Sequence, residues 1–216
     1  MPHYIRENIK QIQHEIGNSN LVVVSKYRTI EELREVYASN HRDFGENRIQ
    51  EMVKKREILP QDIKWHMIGH LQTNKVKYIA PFIHLIHSVD SLKLVKEINK
   101  QGKKNNRMIS ILLQIHIAQE TQKFGFTINE LEELIESSAL VEFQNIKIKG
   151  LMGMATNTTD QNQIRAEFNA LAILYRKYQE KMYWDTLSMG MSNDYKIACD
   201  CGSNLLRIGS KIFNKQ

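Results

Sequence analysis

The sequence predicts a single (β/α)8 barrel, and three observations carry that expectation. Eight short runs rich in β-branched and other apolar residues each lie between longer segments whose apolar residues recur at helical spacing. Several of the runs are continuously apolar rather than alternating, as parallel strands covered on both faces tend to be. No linker, repeat or low-complexity stretch divides the 216 residues. That length is short of the ~250 usual for this architecture but inside its range. An open doubly wound sheet has the same local pattern and is the rival fold.

The elements follow in order. Ile5, Ile9, Ile12 and Ile16 recur at helical spacing, and Gly17 follows as a stop. Residues 21–25 read as the first strand. Thr29 and Glu32 form a capping-box pattern that opens a helix with Leu33, Val36 and Tyr37 on one face. Residues 42–44 read as the second strand, before a helix carrying Ile49, Met52 and Val53. The third strand is 65–68, followed by a short helix over 74–80 that ends near Pro81. The fourth is 84–87, and Ser91 then caps a helix with Leu92, Val95 and Ile98 that stops at Gly102. The fifth is 111–117. Thr127 and Glu130 repeat the capping-box pattern ahead of Leu131, Leu134 and Ile135. The sixth is 149–152, and Ile164, Phe168, Leu171 and Leu174 line the long helix behind it. The seventh is 186–189, with a short helix to Cys201 and Gly202 beyond. The eighth is 205–208.

Composition narrows the function classes. With 42% hydrophobic and 25% charged residues the chain can bury a full core without disulfide or metal staples. The net charge of +6 raises nucleic acid as a partner. Yet the basic residues mostly alternate with Glu on helical stretches, and the cluster Lys103, Lys104 and Arg107 has no aromatic neighbours for base stacking, so no specific nucleic-acid binding is expected. No run of about 18 apolar residues is present, and residues 1–17 lack the apolar core of a secretion signal. Cys199 and Cys201 are too close for an ordinary disulfide and have no second ligand pair. A reduced, cytoplasmic, metal-free protein is the expectation.

In such a barrel, function gathers at the C-terminal strand ends. Lys26 follows the first strand. It reads either as a surface lysine or as an imine-forming one, whose desolvated amine would be nucleophilic. Gly45-Glu46-Asn47 and the 69–75 loop suit a ligand-facing rim or plain turns. His66 and His87 read as satisfied barrel histidines, and Met152, Met154, Met189 and Met191 as gap fillers. After the seventh and eighth strands come Ser192, then Arg207, Gly209 and Ser210. Small and hydroxyl residues opening helices there form a phosphate cradle, at the place where barrels commonly bind phosphate. Each serine could be a simple cap. Together with a lysine ending strand one, they point to a phosphorylated aldehyde held as an imine.

At these residues the chain resembles the pyridoxal phosphate homeostasis protein family. The resemblance spans about 21–213 through LVVVSK at 21–26, FGENRIQE at 44–51, WHMIGHLQTNK at 65–75, HSVDS at 87–91, KFGF at 123–126, GLM at 150–152, DTLSMGMSND at 185–194 and RIGSKIF at 207–213. It implies a fold like the N-terminal barrel of alanine racemase (fold-type III) and pyridoxal 5′-phosphate (PLP) as a Schiff base on Lys26. It places Ser192, Gly209 and Ser210 on the phosphate, Arg207 facing the pyridine nitrogen, and Asn47 beside the cofactor. A cationic guanidinium keeps that nitrogen unprotonated and the ring a weak electron sink, and racemases add a second base from another domain. The implied role is therefore PLP homeostasis and delivery without a dedicated catalytic reaction. The protein would be a monomer, with amino acids and PLP-dependent apoenzymes as possible transient contacts. A small racemase-like PLP enzyme is the alternative, and a Schiff-base aldolase or phosphosugar isomerase a third. Lys75 and Lys123 are the rival lysines. His116, the 154–156 stretch and the Cys-Asp-Cys at 199–201 depart from the family pattern at the pocket rim.

Overall fold

Eight parallel strands pair in chain order and the last returns to the first, closing a barrel. They are β1 (Asn20–Val24), β2 (Asp43–Glu46), β3 (Lys64–Met67), β4 (Leu85–Val89), β5 (Ile109–Gln114), β6 (Ile146–Met152), β7 (Thr186–Ser188) and β8 (Leu205–Ile208). This computed structural model describes residues 4–119 and 124–215. Lys123 therefore lies outside the described residues. The helices are α1 (Tyr4–Ile16), α2 (Ile30–Ala38), α3 (Ile49–Ile58), α4 (Val76–Ile79), α5 (Leu92–Lys104), α6 (Ile128–Glu136), α7 (Gln161–Met182), α8 (Tyr195–Asp200) and α9 (Ser210–Phe213). None of the described helices is long and apolar enough to cross a membrane.

Two apolar cores follow from closure. The larger fills the layer between barrel and helices and takes in the isoleucine stripe of α1, with Ile5, Ile9, Ile12 and Ile16 all buried. The smaller lies inside the barrel: Val22, Leu85, Leu112, Met152 and Leu205. Register identifies the other inward residues, because paired positions on neighbouring parallel strands share a face. Arg207 is level with Val22, His66 with Leu85, Ser188 with Met152 and Leu205, and Gln114 with Met152. The inside of this barrel is thus apolar in one part and polar in another.

Both capping boxes form as their sequences require, at Thr29–Glu32 and Thr127–Glu130. Several expected boundaries shift. The helix expected to stop at Gly102 runs on to Lys104. Gly102 is needed for close approach and not for termination, since a Cβ there would sit 2.6 Å from the Asn145 carbonyl oxygen. β4 begins one residue late, leaving His84 ahead of it, and β5 ends at Gln114, with Ile115 making only an isolated bridge to Phe126. The 74–80 helix is a 3-10 turn at Thr73–Lys75 followed by α4.

Candidate functional site

At the C-terminal ends of the strands lies a cavity of about 600 Å3. All six residues singled out from sequence line it: Lys26, Asn47, Ser192, Arg207, Gly209 and Ser210. The rival Lys75 does not line it, and neither does His116, whose backbone N–H donates to Phe126 O at 2.9 Å.

Lys26 extends the inward face of β1, two residues beyond Val24. The strand end behind it is anchored from the other side. Lys55 on α3 is buried and donates to Ser25 O at 2.9 Å and to Glu46 Oε1 at 2.7 Å. Ser25 Oγ donates to the same carboxylate oxygen at 2.7 Å. Lys26 itself is exposed at the cavity mouth, so of the two sequence readings the structure gives a solvent-reached lysine that also lines the cavity.

The loops after β7 and β8 meet. The Gly209 N–H donates to Ser192 Oγ at 3.3 Å, and the Met191 N–H is taken by Asp194 Oδ1 at 2.5 Å. Burial raises the Asp194 carboxyl above the usual carboxylate range. Among the described residues the Ser192, Asn193 and Ser210 N–H groups have no protein acceptor. A Cβ on Gly209 would lie 3.1 Å from Val24 Cβ, so a side chain there would press on strand one. The helices that follow are short, as the sequence indicates, with six residues in α8 and four in α9. The anion-binding character therefore rests on loop N–H groups and hydroxyls, and not on a helix macrodipole.

Arg207 forms the buried floor. It donates through Nη1 to Ser188 Oγ at 2.6 Å and through Nη2 to Gly153 O at 3.0 Å. Burial pushes its pKa down to about 10, which leaves it cationic at neutral pH. From Ser188 a polar thread crosses the barrel: Ser188 Oγ to His87 Nδ1 at 3.0 Å, His87 Nε2 to His66 Nδ1 at 2.9 Å, and His66 Nε2 to Asp43 Oδ1 at 3.0 Å. Burial, with His66 and Arg207 adding to it, drives the His87 pKa well below its ordinary value. Both histidines are satisfied barrel residues, as expected.

Gly69 and His70, from the loop read as a ligand-facing rim or a plain turn, also line the cavity, whereas the anchoring of the wall beside β6 was not legible in the sequence. The 154–158 loop lines the cavity and is clamped by Glu167 of α7, which accepts the Thr156 N–H and hydroxyl, each at 2.7 Å. A buried glutamate three turns away carries no motif that would announce this role.

Comparison with known proteins bears on this arrangement. The family model for the alanine racemase N-terminal domain matches residues 2–215. The pyridoxal phosphate homeostasis protein of Aquifex aeolicus (strain VF5) is 37% identical over 201 residues, 92% of this chain and 87% of that protein. The structure of PipY from Synechococcus elongatus PCC7942 with PLP bound superposes with a TM-score of 0.87 at 29% identity, over 97% of this chain and 100% of that one. Alanine racemase from Clostridium difficile 630 shares the fold, with a TM-score of 0.81 at 16% identity, over 56% of its chain.

Proposed function

The chain belongs to the alanine racemase N-terminal domain family and, within it, to the pyridoxal phosphate homeostasis proteins, and on that premise we propose that it binds PLP in the C-terminal cavity and serves cofactor homeostasis and delivery without a dedicated reaction of its own. The observation that carries the proposal is the convergence of an amine, an anion-binding loop pair and a buried guanidinium on one cavity. The donor set suits PLP: an aldehyde, a phosphate and a ring nitrogen each find a complementary group. Bound PLP supplies an aldehyde that a lysine amine can hold through a C=N bond, on a ring that withdraws electrons.

Lys26 is proposed as that amine. Ser192, Ser210 and the unengaged N–H groups of residues 192, 193 and 210 would hold the phosphate, and Gly209, lacking a Cβ, lets its loop lie close on Val24 beside them. Arg207, fixed through Ser188 and Gly153 and still charged at neutral pH, would keep a proton off a pyridine nitrogen bound against it. That weakens the ring as an electron sink and argues against directed carbanion chemistry. Asn47, which lines the cavity beyond the end of β2, would border the ring.

The match to PipY with PLP bound, over all of that chain, supports PLP binding by a barrel of this kind. A single barrel domain, a monomeric state, a cytoplasmic location, and transient contacts with amino acids and PLP-dependent apoenzymes complete the reading. The test is the absorbance spectrum and intact mass of protein loaded with PLP, before and after borohydride. A yellow protein with one reducible adduct, lost in Lys26→Ala while circular dichroism is unchanged, is expected. An adduct retained in that variant would move the attachment elsewhere, and sustained D-isomer production from single L-amino acids would overturn the non-catalytic assignment.

A further inference from the structure

The opposite, N-terminal mouth of the barrel opens into a second cavity of about 500 Å3 that the PLP reading leaves unused. Three side chains from three successive strand starts converge there: Asp43 at the start of β2, His66 inside β3, and His84 just ahead of β4. One ligand atom from each lies within 4.8 Å of the other two. We propose that Asp43, His66 and His84 form a binding site for a borderline divalent transition-metal ion of the zinc or cobalt(II) class.

The ligand chemistry fits that class. Two imidazoles and one carboxylate form a mixed nitrogen and oxygen set with room for solvent, as in open zinc sites. Tetrahedral ligands at about 2.0–2.1 Å from zinc are ~3.3 Å apart, so closure needs side-chain shifts of no more than about 1.5 Å. His66 Nε2 already lies 3.0 Å from Asp43 Oδ1, and an ion between them replaces that hydrogen bond by two coordinate bonds. His84 is exposed, and its ring centre is 5.2 Å from that of His66.

The support behind the ligands is also present. Metal-bound histidines nearly always donate their other ring N–H to a fixed acceptor. His66 Nδ1 is 2.9 Å from His87 Nε2, and His87 Nδ1 is in turn 3.0 Å from Ser188 Oγ. His66 is 2% exposed, so its ring is locked before any ion arrives. Lys64 and Lys149 line the same cavity, and Lys149 is paired with Asp185 at 3.4 Å. These cations oppose any dication, and the preference comes from the ligands: two imidazoles and a single carboxylate suit zinc or cobalt(II) better than calcium or magnesium, which take mainly oxygen ligands.

The experiment titrates chelator-treated full-length protein with Co2+ by visible absorbance and with Zn2+ by calorimetry. Saturation at one equivalent is expected, with visible ligand-field bands and no sulfur-to-cobalt band in the near ultraviolet. His84→Ala and Asp43→Ala should each weaken binding by more than ~100-fold, beyond the loss typical of an outer-shell change. His84 is exposed, so its variant should keep the wild-type circular dichroism. Absence of saturable binding, a dominant sulfur band from Cys199 and Cys201, or indifference to His84→Ala overturns the site.

Discussion

Ser192 and Gly209 are joined by one hydrogen bond, the Gly209 N–H to Ser192 Oγ at 3.3 Å, and it ties together the loops that end two neighbouring strands. Ser192 is nearly buried, so its hydroxyl both sets the spacing of the two loops and offers a proton toward the cavity. Replacing Ser192 by Ala leaves the Gly209 N–H without its acceptor and removes that donor. PLP retention is expected to weaken by about 1–3 kcal/mol, the cost of a buried polar group that loses its partner. Equilibrium dialysis against free PLP measures this; unchanged retention would mean that backbone N–H groups alone grip the phosphate.

The buried pair Lys55–Glu46 should be sensitive to the loss of either member. Their side chains are 6% and 0% exposed at a separation of 2.7 Å, and Glu46 Oε2 has no hydrogen-bond partner among the described residues. Lys55→Met then strands a buried carboxylate, and a loss of about 3–5 kcal/mol is expected. Lys55→Met with Glu46→Leu should recover most of it, because the burial penalty of the charges leaves with them. Urea unfolding of the single and double variants reads both. A single variant as stable as the parent would show that water already reaches the pair.

Much of this was readable from the chain, and the limits have physical causes. The barrel was legible because closing eight strands under helices demands continuous apolar runs such as 21–24 and capped helices such as those at Thr29 and Thr127. The cavity was legible because strand ends bring Lys26, Ser192 and Arg207 together whatever the loops between them do. The 46–55 ion pair and the Glu167 clamp were not, since each joins residues whose sequence spacing carries no periodicity. The sequence left Lys26 open between a surface lysine and a desolvated amine, because a strand end shows which face a residue extends and not how much of the loops covers it; the structure leaves it exposed at the cavity mouth.

Glu167 makes the 154–158 loop a testable wall. It is buried, accepts two bonds from Thr156, and receives Gln163 Nε2 at 3.0 Å. Glu167→Ala should free the loop, with faster amide exchange over 154–158 and faster release of PLP. Barrel stability should fall by only about 1–2 kcal/mol, since the loss is confined to hydrogen bonds at the rim. Hydrogen-exchange mass spectrometry and a dissociation time course check the two effects. Exchange unchanged over that loop would show that packing alone positions it.

Glu15 should be one source of acid sensitivity, at the contact between α1 and α8. The Tyr195 hydroxyl donates to Glu15 Oε2, and Lys196 Nζ lies 3.2 Å from the same oxygen. Tyr195, then Gln11 and Lys196, hold the Glu15 pKa at about 2, below the ordinary 4.5. A depressed carboxylate contributes stability that is fully present above its unfolded value and drains away as pH falls through the folded one. The contact joins α1 to α8, so the same titration loosens the N-terminal helix from the element that follows the Ser192 loop. Urea midpoints measured from pH 5 to pH 2 should fall steeply in the parent. In Glu15→Gln the midpoint should start lower at neutral pH and change less across that interval, because the proton that breaks the contact no longer has a carboxylate to bind. Parallel curves for the two proteins would assign the acid loss to other carboxylates.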